Sequence, residues 1–285
     1  MNDQAGDMTP RMRELRRVFD AAAPGYDAVS AVQDEIRQRM LERLELLRID
    51  PRTVLDLGSG TGRGALDLDR RYRHARVLAL DVSPSMLARV PTPGLLRRGV
   101  DRLAADARRL PLADDSVDMV FSNLMLQWAG DPEPVFRECH RVMTSQAVLM
   151  FTSLGPASLV ELREAWQEAD QTPHVNTFLD MHDVGDALVR TGFAEPVMDV
   201  ETLTVTYPDF DSLTRELRMG GSLNLDPGRR TGLTGRRRYA AMRRAYQARQ
   251  AEGRLPVTLE IVYGHAWRPG RLPAAGLEAP RGTAR

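Results

Sequence analysis

Hydrophobic positions along the chain follow two rhythms. Segments at about 53–57, 76–81, 101–105, 117–122 and 146–153 read as strands, the first of them an apolar run that can lie buried in a parallel sheet. Helical spacing between them predicts helices over about 62–73, 84–90 and 132–142. Strands and helices in alternation imply an α/β fold: a mostly parallel sheet, helices on both faces and ligands at the carboxyl ends of the strands. Ahead of the sheet, Met12, Leu15, Val18 and Phe19 recur at helical spacing, and Val32, Ile36, Met40, Leu44 and Leu47 mark a second helix over about 28–47. These two helices have only the open edge of the sheet to cover, so a lid over the ligand cleft is expected. Beyond the fifth run the pattern predicts helices at about 158–169 and 181–193 and an alternating, half-buried strand at 197–207. Helices at about 209–219 and 235–251 and a last strand at 257–267 follow.

The expected organisation is a single domain over 1–285, with a helical lid at 10–48, a core at 50–207 and 255–268, a helical insertion at 208–253 and a disordered tail at 269–285.

The first apolar run leads directly into chemistry. Asp56 ends it, and Gly58, Gly60, Gly62 and Gly64 then fall at every second position before a helix. Such a turn lets a ligand approach the backbone and meet the free N–H groups of the helix start. The glycines alone would also pass a relaxed dinucleotide pattern, so the flanking acids decide. Asp81 closes the next run about 20 residues on, where a carboxylate can accept from ribose hydroxyls. Asp56 sits where a carboxylate faces an ammonium better than a pyrophosphate, and Asp106, at a third strand end, can accept from an exocyclic adenine amine. The set suits a cationic, adenosine-bearing ligand.

Composition narrows the classes. The formal net charge is zero, so nothing draws the whole molecule to nucleic acid or membrane. A single cysteine, Cys139, excludes a disulfide framework and a multi-thiolate metal site; no metal is expected, and a reducing compartment, the cytoplasm, is. No apolar run approaches membrane-spanning length. All 39 basic residues are arginine, which rules out a Schiff-base lysine and a phosphate-loop lysine.

Asp56-Leu-Gly-Ser-Gly-Thr-Gly62, Leu80-Asp81-Val-Ser-Pro-Ser-Met86 and Ala105-Asp106-Ala-Arg-Arg-Leu-Pro-Leu-Ala-Asp-Asp-Ser-Val-Asp118 resemble the successive motifs of class I S-adenosylmethionine-dependent methyltransferases, over about residues 50–155. The resemblance implies a Rossmann-like seven-stranded sheet and S-adenosylmethionine as cofactor. Its binding residues would be Asp56, Gly58, Gly60, Gly62, Asp81, Val82, Met86, Asp106, Ala107, Asn123 and Leu124, with Gln33 reaching in from the lid. Gln127 and Trp128 would stand between cofactor and substrate. One departure is the turn into the fifth strand, usually Pro-Gly-Gly and here Thr144-Ser-Gln-Ala147. It lies away from the cleft, so its expected effect is on stability.

Pro173-His-Val-Asn-Thr-Phe-Leu-Asp-Met-His-Asp183, Leu217-Arg-Met-Gly-Gly-Ser-Leu-Asn224, Gly232-Leu-Thr-Gly235 and Leu259-Glu-Ile-Val-Tyr-Gly-His-Ala-Trp267 narrow the likeness. From about residue 11 to 268 the chain resembles the malonyl-acyl-carrier-protein O-methyltransferases of biotin synthesis. That implies methylation of the free carboxylate of a malonyl thioester, carried by acyl carrier protein or coenzyme A. Two alternatives stay open: methylation of another small acid, and an assembly role like that of a mitochondrial complex I assembly factor of the same fold, credited with arginine hydroxylation.

A carboxylate is already ionised at neutral pH and needs no general base, so positioning and exclusion of water carry the rate. Donors for its second oxygen are therefore wanted. Tyr26 and His174 are the first candidates, followed by Asn176 and Arg218, and Tyr26 lies in the break between the two lid helices. Between Pro227 and Ala251 there are eight arginines and no acid. Arg229, Arg230, Arg236, Arg237, Arg238, Arg243 and Arg244 form a patch suited to steering an acidic acyl carrier protein in a transient, electrostatic encounter. The region lacks a recognised nucleic-acid module, no membrane contact is expected, and a monomer is favoured.

Overall fold

The computed structural model describes residues 8–92, 99–220, 224–226, 228–229, 232 and 234–270. Its centre is a seven-stranded sheet in the order β3-β2-β1-β4-β5-β7-β6. The strands are β1 (Thr53–Leu57), β2 (Arg76–Asp81), β3 (Asp101–Ala104), β4 (Val117–Ser122), β5 (Met143–Leu154), β6 (Ala194–Tyr207) and β7 (Leu255–Trp267). The first five run parallel; β7 is antiparallel to both β5 and β6. The helices are α1 (Pro10–Ala22), α2 (Ala31–Leu44), α3 (Arg63–Arg71), α4 (Pro84–Leu87), α5 (Glu133–Val142), α6 (Val160–Gln167), α7 (Met181–Arg190), α8 (Phe210–Met219) and α9 (Arg236–Gln247).

The pleat divides the apolar runs between two cores. Leu55, Leu57, Leu78, Leu80 and Val120 point to one face, where Val135, Phe136 and Cys139 of α5 and Val184 and Leu188 of α7 cover them. Val54, Val77, Ala79, Met119 and Phe121 point to the other, against Ile36, Met40 and Leu44 of α2 and Ala65 and Leu68 of α3. Burial on both faces is what made these runs continuous in the sequence. Cys139 is fully buried packing. A third, smaller core lies where the antiparallel β6/β7 pair extends beyond the rest of the sheet: Tyr207, Phe210, Leu213, Met242, Tyr246 and Val257 tie α8 and α9 to it, with Ala165 of α6.

Three boundaries differ from the sequence expectation. The predicted turn over 144–147 is instead the start of β5, which leaves α5 at Met143 and carries a bulge with Gln146 at φ +66°. The Gln146 N–H donates to the Arg268 carbonyl (2.9 Å) and Thr144 Oγ1 to Asp118 Oδ1 (2.9 Å), so side-chain and cross-strand partners replace the proline and glycines of the usual turn. The predicted helix over 28–47 is α2 preceded by a separate 3₁₀ turn, Tyr26–Val29. The helix over 84–90 is the single turn of α4. The expected tail lies outside the described residues from 271 onward.

Candidate active site

From β1 the chain proceeds to β2 and β3 on one side, and from β4 to β5 on the other, so the β1/β4 boundary is the switch point where a crevice must open. A cavity of about 200 Å³ lies there. Met12, Leu15 and Phe19 of α1 and Val32, Gln33 and Ile36 of α2 line it from above. A smaller adjoining cavity shares Tyr26, Gln33, Gly58, Gly60, Asn123 and Leu124 with it and reaches down to Asp56.

The glycine turn is held open by two backbone positions. Gly60 has φ +54° and donates its N–H to Asp81 Oδ2 (2.9 Å); a Cβ there would meet nothing closer than the Tyr26 ring at 4.0 Å, so this backbone faces free space. Gly58 has φ +76°, and a Cβ on it would overlap the Met125 side chain. Gly62 starts α3 against Val90 and does not line the cavity; it shapes the turn without facing a ligand.

The three strand-end acids occupy distinct environments. Asp56 is buried, packs against Gly64, and its Oδ2 has no hydrogen-bond partner. Burial pushes its pKa up to about 7, opposed by the Ala65 N–H and the Arg37 charge. Asp81 accepts from Gly60 and from the Ser83 N–H (2.8 Å), and burial raises it to about 6. Asp106 lines the far end of the cavity; although burial opposes it, hydrogen bonds from Arg108, at 2.6 Å the closest, hold it below the ordinary carboxylate value. Val82, Met86 and Ala107 supply apolar wall between these acids.

Asn123 joins lid to sheet: its Nδ2 donates to the Gln33 carbonyl (3.1 Å) and its Oδ1 accepts from Thr152 Oγ1 (2.9 Å), which also receives the Leu124 N–H. Gln33 Oε1 is buried without a partner. The Tyr26 hydroxyl makes no hydrogen bond among the described residues; burial and the charges of Asp81, Asp34 and Asp27 raise its pKa to about 12, so at neutral pH it is a donor. Trp128 closes one wall, edge-on to Phe19 with ring centroids 5.6 Å apart. Gln127 donates from Nε2 to the Leu124 carbonyl (2.7 Å), leaving its Oε1 unpartnered.

Two sequence candidates lie elsewhere. The His174 ring stacks on Trp166 (3.6 Å, 8° between planes), and its Nε2 lies 2.8 Å from Asp170 Oδ1 and 3.2 Å from Thr172 Oγ1. It does not line the cavity, because a carboxylate four residues upstream and an indole on α6 hold it. Arg218 is on the exposed face of α8, also off the cavity. Asn176 accepts from the Leu225 N–H (2.7 Å) and lines a second cavity of about 190 Å³, which shares Gln127 with the first. Of the arginine patch, Arg229 pairs with Glu14 (2.8 Å), Arg243 with Asp211 (3.1 Å), and Arg238 lies 3.7 Å from Asp170. Arg236, Arg237 and Arg244 are exposed and make no ion pair among the described residues, and Arg230 lies outside them.

Several groups at the site were not foreseen. Arg108 follows Asp106 by two residues, a spacing visible in the sequence. Tyr207 donates to Glu216 (2.8 Å) on the cavity wall, a pair no local pattern announces. The lid is latched by Asp20, which accepts from Ser83 Oγ (2.6 Å) and the Ser85 N–H (3.1 Å), and by Asp27, which accepts from Thr61 Oγ1 (2.7 Å).

Residues 55–151 match the family model described as a methyltransferase domain. The chain is 47% identical over 276 residues to the malonyl-[acyl-carrier protein] O-methyltransferase of Laribacter hongkongensis, covering 94% of this chain and 93% of that one. It is 46% identical to the enzyme of the same name from Halorhodospira halophila, over 92% and 89% of the two chains. The chain belongs to the malonyl-[acyl-carrier protein] O-methyltransferase family. Among solved structures, Haemonchus contortus phosphoethanolamine N-methyltransferase 2 in complex with S-adenosyl-L-methionine superposes with a TM-score of 0.58 at 17% identity, over 92% of this chain and 61% of that one. That likeness speaks to the fold.

The residues present fit the cofactor that family membership implies. The unpartnered Asp56 Oδ2, the open Gly60 backbone and the carboxylates at three strand ends offer acceptors and space where a cationic nucleoside would need them.

Proposed function

We propose that this chain methylates the free carboxylate of malonyl-acyl carrier protein to its methyl ester, using S-adenosylmethionine, and so opens pimeloyl synthesis for biotin. The observation that carries this reading is near-full-length identity of 47% to a relative of that name. When bound, the cofactor supplies a methyl group activated by a positively charged sulfur. Asp56 would face its ammonium, Asp81 its ribose hydroxyls and Asp106 its adenine amine. With the substrate already ionised, the chain's own part is to aim and to dry the site. Phe19, Trp128, Leu217 and Leu259 line the cavity with apolar surface, and the latched lid covers one side of it. Tyr26, protonated at neutral pH, acts as a hydrogen-bond donor and not as a base.

The carrier protein would dock on the exposed face of α9, where Arg236, Arg237 and Arg244 stand unpaired; charges already matched within the chain have less to offer a partner. The cytoplasm suits the reaction, and no helix among the described residues is long and apolar enough to cross a membrane. Disrupting the gene should create a biotin requirement that the wild-type gene relieves and an Asp81→Ala version does not. Growth without biotin after a clean disruption would contradict the assignment.

A further inference from the structure

The second cavity lies beside the main one, with Gln127 common to their walls. Its lining includes Arg11 of α1, Ser153 at the carboxyl end of β5, Asn176 and Thr177. Arg11 makes no ion pair among the described residues, and its Nε is buried without any hydrogen-bond partner. The guanidinium lies over Gly130, at φ +77°, where a Cβ would come within 3.1 Å of Nη1 and 3.3 Å of Cζ. The absence of a side chain at 130 thus makes the seat that the guanidinium occupies.

A planar, permanently charged guanidinium that lines a cavity and has no acid partner among the described residues matches a carboxylate. Arg11 is the one cation among the described residues that line this cavity. Gln127 presents an orphan acceptor, which repels a carboxylate, because its amide nitrogen is committed to Leu124. Asn176 accepts from the Leu225 N–H through Oδ1, and Ser153 and Thr177 add hydroxyl donors without charge. Asp226, the one acid among the described residues of the cavity wall, accepts from the Gly228 N–H (2.8 Å) and lies 3.5 Å from Thr177 Oγ1, and it forms no ion pair with Arg11. We infer that this cavity is the carboxylate subsite of the acyl substrate, with Arg11 as the counter-charge that selects an acyl group ending in a free acid. The inference rests on the carboxyl-methylation reading and supplies the donor which His174 and Arg218, by their positions, do not.

The test compares wild type, Arg11→Gln and Arg11→Lys, measuring binding and KM for malonyl-acyl carrier protein, binding of acetyl-acyl carrier protein, and thermal stability and cofactor affinity as controls. Wild type should prefer the malonyl form. Arg11→Gln should raise its Kd and KM about ten- to a hundredfold while acetyl binding and cofactor affinity hold, and Arg11→Lys should restore part of the preference. A folded Arg11→Gln protein that keeps the wild-type preference overturns the inference and leaves the carboxyl-methylation reading intact. Wild type without preference for the malonyl form, and without transfer to it, overturns both.

Discussion

On the β1–β4 side of the cleft, the groups that face the cavity come from strand ends and the turns directly after them: Asp56, Gly58, Gly60, Asp81 and Asp106. On the β5–β7 side the wall is assembled from distant segments, with Leu154, Leu159, Tyr207, Glu216, Val257 and Leu259 brought together by the third core. The first side binds through backbone and fixed charge, so its geometry is set by the sheet. The second side depends on how an antiparallel strand pair and two helices pack, so its polar groups are few and their partners are set by tertiary contact. A reaction that reuses one cofactor on many substrates needs this division, since the first half can stay constant while the second varies.

The sharpest way to break the comparison is at the turn. Gly58→Val adds a side chain at φ +76° into the space of Met125, and is expected to abolish cofactor binding and to cost on the order of 3 kcal/mol of stability. Calorimetric titration and thermal unfolding would check both.

A second probe uses protonation. Asp56 titrates at about 7 in the folded protein, against about 3.9 for an unperturbed aspartate. Between those values the ligand-free folded chain holds a proton which the unfolded chain has released, so stability falls as pH rises from about 4 towards 7. A cationic ligand favours the ionised form, so cofactor affinity should rise with pH through the same range, with proton release on binding. Asp81, at about 6, adds to the lower part of that rise. Calorimetry in buffers of different ionisation enthalpy reads the proton, and Asp56→Asn should flatten most of the slope.

On the other side of the cleft the effects should be smaller. Reversing Arg236, Arg237 and Arg244 to glutamate should raise KM for the carrier-bound substrate severalfold, weaken its salt dependence, and leave cofactor affinity unchanged. His174→Ala should leave kcat within about threefold while costing about 1–2 kcal/mol of stability, because the ring it removes is stacked on Trp166 and bonded to Asp170. A loss of kcat beyond a hundredfold at unchanged stability would return His174 to the chemistry.

The sheet and the cofactor side were legible because both obey local rules. Continuous apolar runs mark doubly covered strands, and acids at strand ends followed by glycine mark a ligand turn. The substrate side was legible only as elements. His174 and Arg218 have the chemistry a carboxylate site wants, yet the sequence does not say that Asp170 and Trp166 claim the first, or that α8 turns the second outward. Arg11 is one arginine among 39. Only the fold shows that it lines a cavity with its Nε bonded to no acceptor, whereas Arg229 and Arg243 of the basic patch are paired with acids. The 144–147 segment failed for a related reason: its bulge is stabilised by Asp118 and Arg268, both remote in sequence.

The most direct measurement is transfer of label from methyl-labelled S-adenosylmethionine to malonyl-acyl carrier protein, with acetyl-acyl carrier protein as the control that lacks a free carboxylate. Label on the malonyl form alone, released by mild base as expected of a methyl ester, is the predicted result. Cofactor binding without transfer to the malonyl form, or equal labelling of the acetyl form, would contradict carboxyl methylation as the function of this site.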